Sequence, residues 1–319
     1  MFNINYLQTL LAGSVMAATN THAYPTRPVR VIVGFSAGSG TDMIARFVGN
    51  KLTERFHQPV VVDNRPVVNG IIAADLVARA APDGHTLLAM SVSHTMNAAV
   101  YTLAFDAVKS FTPVTQLGAG PLVLVANNAF AANNVQTLID LANAKPDTIT
   151  YAISGTGGIN HFAGGLFSHI TGVRLVNVPY KGGSQALTDL IGGQVQIMFG
   201  TAAITLAQIR NGRMKALGVS TLKRSPMLPD VPTLHESGAA GYEMSTWWGV
   251  LGPAGLPASV VVRLNTDIAA ILAQPETRKR LEAEGAVPSS LVGADFIRML
   301  SADIEKWTRV ARDASIKAE

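Results

Sequence analysis

The stretch VRVIVGFSAGSGTDMIARFVG, residues 29–49, and its counterpart ITYAISGTGGINHFAGGLF, residues 149–167, decide how this chain reads. In each, an apolar run of strand length enters a glycine-rich turn and leaves it as the start of a helix. A helix that opens straight out of such a turn points its unpaired N–H groups and positive dipole end at whatever sits there, which makes an anion site without arginine. Two such turns in one chain imply one acidic ligand gripped from two sides.

Outward from the turns, strand-length runs alternate with helix-period segments, an α/β rhythm with mostly parallel sheets covered on both faces. The unit strand, Gly-turn, helix, strand occurs over residues 29–62 and again over 150–178. Duplication of this kind predicts two similar lobes whose turns face one another across a cleft. Separate strands are predicted at Val114–Gln116 and Leu122–Ala126, and a further one at Met244–Leu251; the chain should leave the first lobe near Leu122–Ala126 and return near Met244–Leu251. Lobe one is then residues 24–122 plus 247–319, and lobe two is 123–246. The C-terminal helices predicted at Ala258–Ala273, Pro275–Glu284 and Ala294–Ala314 have no strand signal between them and should pack onto a lobe already formed.

The chain has 319 residues, 48% of them hydrophobic and 14% charged, a globular balance of a length suited to two lobes. Met1–Ala23 contains an apolar stretch around Leu10–Ala18, no acidic residue, and Thr21-His22-Ala23 as a small-x-small cleavage candidate, so it reads as a signal peptide of an exported protein. No Lys or Arg precedes the apolar stretch, which leaves a frayed N-terminal helix of a cytoplasmic protein as the alternative. With no cysteine, the chain has no disulfide, thiol catalysis, thiolate metal site or lipid-anchored cysteine. Its net charge of +4 comes from scattered Lys and Arg, the short clusters being Lys223-Arg224 and Arg278-Lys279-Arg280, so nucleic acid is not an expected partner.

Several motifs compete for the first turn. Gly34-Phe35-Ser36-Ala37-Gly38 is a literal G-x-S-x-G, the pattern of a hydrolase nucleophile elbow, but it follows the first strand of the mature chain and no oxyanion loop precedes it. Gly38-Ser39-Gly40, with Asp63 ending the next strand, imitates a dinucleotide fingerprint; Met43 stands where the third glycine belongs. A secreted serine hydrolase using Ser36 and a dinucleotide-dependent enzyme are therefore the alternatives to a binding protein. Ser220-Thr221-Leu222-Lys223 matches S-x-x-K without its companion motifs, and the histidines show no metal-ligand spacing. Neither cofactor nor metal is expected. Asp42 is a general base or, as favoured, a dipole and capping partner in the first helical turn. His161 is a neutral pocket donor or a structural histidine. Trp247 and Trp248 point to opposite faces of a strand, so at most one of them should touch ligand.

With these residues laid out, the chain resembles the extracytoplasmic receptors of tripartite tricarboxylate transporters, the Bug family of solute-binding proteins. The matching stretches include Tyr24-Pro25, Arg27-Pro28-Val29, Phe35 to Arg46, Val60 to Arg65, Ala81 to Gly84, Tyr151 to His161, Val178 to Gly182, Gly192 to Val195, Pro229 to Thr233 and Gly252 to Gly255. The resemblance implies a two-lobed type II periplasmic binding-protein fold, a Venus flytrap that closes on a small carboxylate and delivers it to a membrane permease. It implies a periplasmic location and a receptor, not an enzyme. The expected carboxylate site comprises Phe35, Ala37, Gly38, Ser39, Gly40, Thr41 and Asp42 from the first turn, with Ser154, Gly155, Thr156, Gly157, Gly158, Asn160 and His161 from the second. Specificity is expected from Ser91, Ser93, Tyr180, Lys181, Thr201 and Trp247, with Tyr180 and Ser91 foremost; a monomer is expected. Two departures stand out. Ser36-Ala37-Gly38-Ser39 replaces the family's Pro-Ala-Gly-Gly, so a required positive φ at position 39 would be strained. Val67-Val68-Asn69-Gly70-Ile71 replaces a Gly-rich loop, which makes that loop stiffer and less polar.

Overall fold

The computed structural model describes residues 24–317 apart from 67, 181 and 284. The leader expected at Met1–Ala23 and the specificity candidate Lys181 lie outside the described residues.

The apolar run that opens the first unit is strand β1 (Val29–Val33), followed by α1 (Gly40–Phe56), β2 (Val60–Asn64), α2 (Ile71–Ala78), β3 (Thr86–Ser91), α3 (Ser93–Val100) and the long β4 (Phe111–Ala126). The second unit holds α4 (Val135–Ala144), β5 (Thr150–Ile153), α5 (Ile159–Thr171), β6 (Val176–Pro179), α6 (Gly183–Ile191), β7 (Ile197–Thr201), α7 (Ala202–Arg210) and β8 (Lys215–Val219). The chain then returns through β9 (Ser245–Pro253) to α8 (Ala258–Leu272), α9 (Pro275–Ala283), β10 (Val287–Pro288) and α10 (Gly293–Asp313).

Strand order is β2-β1-β3-β9-β4-β7-β5-β6, with β8 and β10 also on β4. The β1–β2, β1–β3, β5–β6 and β5–β7 pairs are parallel, as strand–helix–strand units require. β4 joins the two lobes: Phe111–Pro121 pairs with β9, whereas Leu122–Ala126 pairs with β7 and β8. Both faces of β1 are apolar. Val29 packs with Ile44, Val48 and Leu52 of α1, while Ile32 packs with Ala73, Ala74 and Val77 of α2. That is why β1 reads as a continuous apolar run instead of an alternating one.

The expected strands at Val114–Gln116 and Leu122–Ala126 are in fact one strand, despite Gly118, Gly120 and Pro121 between them. Gly120 serves close approach and makes no turn: a Cβ there would stand 2.0 Å from the carbonyl oxygen of Gly285. Pro121 sits where pairing with β9 ends. The changeover is pinned by Ser220, whose buried hydroxyl donates to the Met244 carbonyl (2.6 Å) and accepts from Leu122 N–H (2.8 Å). The apparent S-x-x-K serine is thus a fastener of the crossover strands.

Two further expectations are corrected. A short strand, β10, does stand between the C-terminal helices, and α10 does not settle on one lobe. Phe296 packs edge-on to Trp247 (5.9 Å between centroids) and Trp307 edge-on to Phe162 of α5 (5.6 Å), so the 21-residue α10 straps both halves. Helix α3 was not anticipated, because its eight residues include Thr95, Asn97 and His94 on buried positions and carry no apolar stripe.

Candidate functional site

The first turn leaves β1 through Gly34, which is pressed against the 69–70 loop: a Cβ on Gly34 would lie 2.4 Å from Gly70 Cα. Gly38 takes the left-handed conformation at φ 83°, with open space around it. Ser39 instead has φ −68° and is the N-cap of α1, its hydroxyl accepting from Asp42 N–H (3.3 Å). The strain expected at position 39 therefore does not arise; glycine one residue earlier absorbs it.

Asp42 holds the turn in shape. It is buried, and its carboxylate accepts from Gly38 N–H (2.8 Å), Asn64 Nδ2 (2.8 Å) and Arg46 Nε (3.0 Å). Burial alone would raise its pKa, but these bonds outweigh burial and keep the carboxyl below its ordinary range. Asn64 also donates to the Phe35 carbonyl (3.0 Å) and thereby ties the end of β2 to the turn. Asn64 and Arg46 stand inside the quoted family stretches, yet nothing in their spacing marks them as clamps. Ser39 N–H is used on the Ser36 carbonyl (3.1 Å), so Gly38 and Ser39 spend their amides inside the turn. The first helical amides, Gly40 and Thr41, have no acceptor in the helix and face out of its N-terminus beside exposed Ala37.

The second turn is built from neutral groups. Gly155 and Gly157 have φ 118° and 72°, and Gly158 is an N-cap with no side-chain cap. Gly158 N–H bonds the Gly155 carbonyl (3.2 Å), and Gly157 N–H donates to His161 Nδ1 (3.2 Å). An accepting Nδ1 makes His161 a neutral ring with its proton on Nε2. Ser154 Oγ donates to Asn160 Oδ1 (2.6 Å), and Asn160 Nδ2 donates to the Phe199 carbonyl, so the turn is tied to the middle of β7. Ile159 and Asn160 supply the free helical amides here, with half-buried Thr156 alongside.

Helix α3 links the two turns. It begins beside Ser91, at the end of β3 next to β1, and ends against the second turn, where a Cβ on Gly157 would lie 3.6 Å from Val100. Eight residues of helix span about 12 Å.

The specificity candidates divide. Ser91 is buried with its hydroxyl 3.4 Å from Ser93 Oγ, and Thr201 ends β7 opposite Leu122. Tyr180 follows β6 beside Ile153, whose carbonyl accepts its N–H (2.8 Å); partial burial and a hydrogen bond to the Asp189 carboxylate raise its phenol pKa. Trp247 is buried and donates its indole N–H to Asp303 (2.8 Å), while Trp248 packs in the opposite core with Val260 and Leu264 of α8. Trp247 is thereby a framework position in this arrangement. Among the described residues no cluster of His, Cys, Asp or Glu could hold a metal ion, and no helix is long and apolar enough to cross a membrane.

Comparison with known proteins places the chain in a family. A family model described as tripartite tricarboxylate transporter family receptor matches residues 44–316. The chain is 31% identical to Protein BugT of Bordetella pertussis, over 97% of this chain and 95% of that one. Among solved structures, Rpa4515 of R. palustris with adipate is 35% identical, with a TM-score of 0.83 over 92% of this chain and 99% of that chain. MatC (Rpa3494) from Rhodopseudomonas palustris, with bound malate, is 30% identical, with a TM-score of 0.78 over 90% and 99%.

Proposed function

The chain belongs to the tripartite tricarboxylate transporter receptor family, whose members are solute-binding receptors and not enzymes, and from that membership we propose that it captures one small carboxylate between its two turns. The observation that carries this reading is that α1 and α5 each open with two helical amides lacking a helical acceptor, at the carboxyl ends of strands in different lobes. Residues 24–122 plus 247–319 form one lobe, from which α10 reaches across to α5, and 123–246 form the other, with closure turning on β4 and β9 near Ser220. The ligand is a di- or tricarboxylate, an amino acid or an aromatic acid. The receptor works in the periplasm as a monomer and hands its ligand to the permease subunits of a tripartite transporter.

The energetics suit capture and release. Charge-assisted hydrogen bonds net about 1.5–3 kcal/mol each, and each helix end adds roughly 0.3–1 kcal/mol. Four such bonds with two helix ends gross about 7–14 kcal/mol against an association cost of about 4–15 kcal/mol, so micromolar affinity, about −8 kcal/mol, also needs contacts to the rest of the ligand.

The test is thermal stabilisation of the purified protein by a panel of mono-, di- and tricarboxylates, amino acids and aromatic acids. At least one carboxylate should raise the melting temperature, with micromolar binding in calorimetry. Stabilisation by none of them, or equally by the matching neutral amides, would contradict the reading.

A further inference from the structure

Behind the first turn, between the end of the first sheet and α3, lies a cavity of about 10 Å³, enough for one water-sized group. Phe35 and Ser91, both in the expected site, line it on one side; His94 and Asn97 line it from α3. These two are three residues apart and so share one helix face. Asn97 is 3% exposed and His94 6%.

Each carries an acceptor atom. Asn97 Nδ2 donates to the Asn69 carbonyl (3.0 Å), which fixes the amide and leaves Oδ1 buried without a hydrogen-bond partner. His94 Nε2 lies 2.8 Å from the Ala107 carbonyl. A carbonyl only accepts, so Nε2 carries the proton; burial lowers the ring's pKa to about 4, and Nδ1 is left as a bare acceptor. A buried carbonyl oxygen without a donor is costly, and that cost is recovered when a donor enters. A carboxylate, with acceptors only, is repelled from the same place.

We propose that this cavity is a subsite for a hydrogen-bond-donating substituent of the ligand, a hydroxyl or an ammonium, held by Asn97 Oδ1 and His94 Nδ1 while the carboxylate sits on the turn amides. The receptor then selects hydroxy- or amino-carboxylates over bare ones. The inference rests on the carboxylate-receptor reading above.

Calorimetry on the full protein with succinate, malate and aspartate tests it. Malate or aspartate should bind at least about ten-fold tighter than succinate, the effect of one recovered buried hydrogen bond. The tighter of the two identifies hydroxyl or ammonium as the preferred donor. In Asn97→Leu, which removes the acceptor and keeps the volume, the preference should fall toward one; Asn97→Asp should shift it toward aspartate. If Asn97→Leu loses its melting transition, His94→Phe carries the same test, since it keeps the ring packing on Phe105 and Phe111. Equal affinities in the unmodified protein would mean that water alone fills the cavity, and would overturn the proposal. So would a preference that survives Asn97→Leu. If none of the three binds but another carboxylate does, the subsite alone is overturned; if no carboxylate binds at all, the receptor reading falls with it.

Discussion

The two turns have the same backbone design and opposite electrostatics. The first carries its own anion: the Asp42 carboxylate sits on Gly38 N–H and is held in turn by Arg46 and Asn64. The second has no acidic residue from Ser154 to Thr171 and is closed by the neutral pairs Gly157–His161 and Ser154–Asn160. A helix N-terminus with a resident carboxylate has spent part of its attraction for another anion. The second turn should therefore carry the larger share of the ligand's charge, while the first supplies rigidity and the approach to Ser91.

The largest expected effect breaks the second turn. Gly157→Asp places a carboxylate at the uncapped end of α5, at a position with φ 72°, and binding of any carboxylate should fall more than about 100-fold in calorimetry with the melting transition retained. Undiminished affinity would assign the site to the first turn alone.

The next acts on the first turn and reads stability. Asp42→Asn should lower unfolding stability at pH 7 by about 1–3 kcal/mol, because a buried charge-assisted network loses its negative charge and one of its two acceptor oxygens. Asp42 has a depressed folded-state pKa, so its contribution is complete above the unfolded-state pKa near 4 and vanishes as pH falls through the folded value. The stability difference between the two proteins, followed by urea titration from pH 7 downward, should hold to about pH 5 and then shrink. A difference that grows in acid would reverse the assignment.

Smaller effects sharpen the contrast. Ser39→Ala removes the only side-chain cap on either turn's helix; at 3.3 Å the bond is long, so about 0.5–1 kcal/mol is expected, read as a modest drop in melting temperature. Ser36→Ala should leave the ligand-induced thermal shift intact, since the Ser36 side chain is exposed and the bond to Ser39 N–H uses its backbone oxygen.

Much of this was legible in the residues. The β1 and β5 runs, their turns and the helices after them stand where their apolar patterns and glycines put them, because each is decided locally by burial, φ and helix-end chemistry. What escaped is decided between distant segments. Gly118 and Gly120 look like a turn until Gly285 is seen lying on β4. α3 forms from polar residues because the cavity wall, α10 and the Ala107 carbonyl receive them. Asp42 reads as a dipole partner, but its role as a clamp needs Asn64, brought alongside by the β1–β2 pairing. Likewise, the two tryptophans follow strand alternation, yet only the packing of α10 reveals that the indole of Trp247 has its partner in Asp303.

The central claim is that amides of both turns meet a single carboxylate. The backbone amide shifts of Gly40, Thr41, Ile159 and Asn160, followed by ¹⁵N-resolved NMR during titration with a stabilising carboxylate, address it most directly. All four should move with one shared dissociation constant. Movement confined to one turn, or two distinct constants for the two turns, would contradict the account.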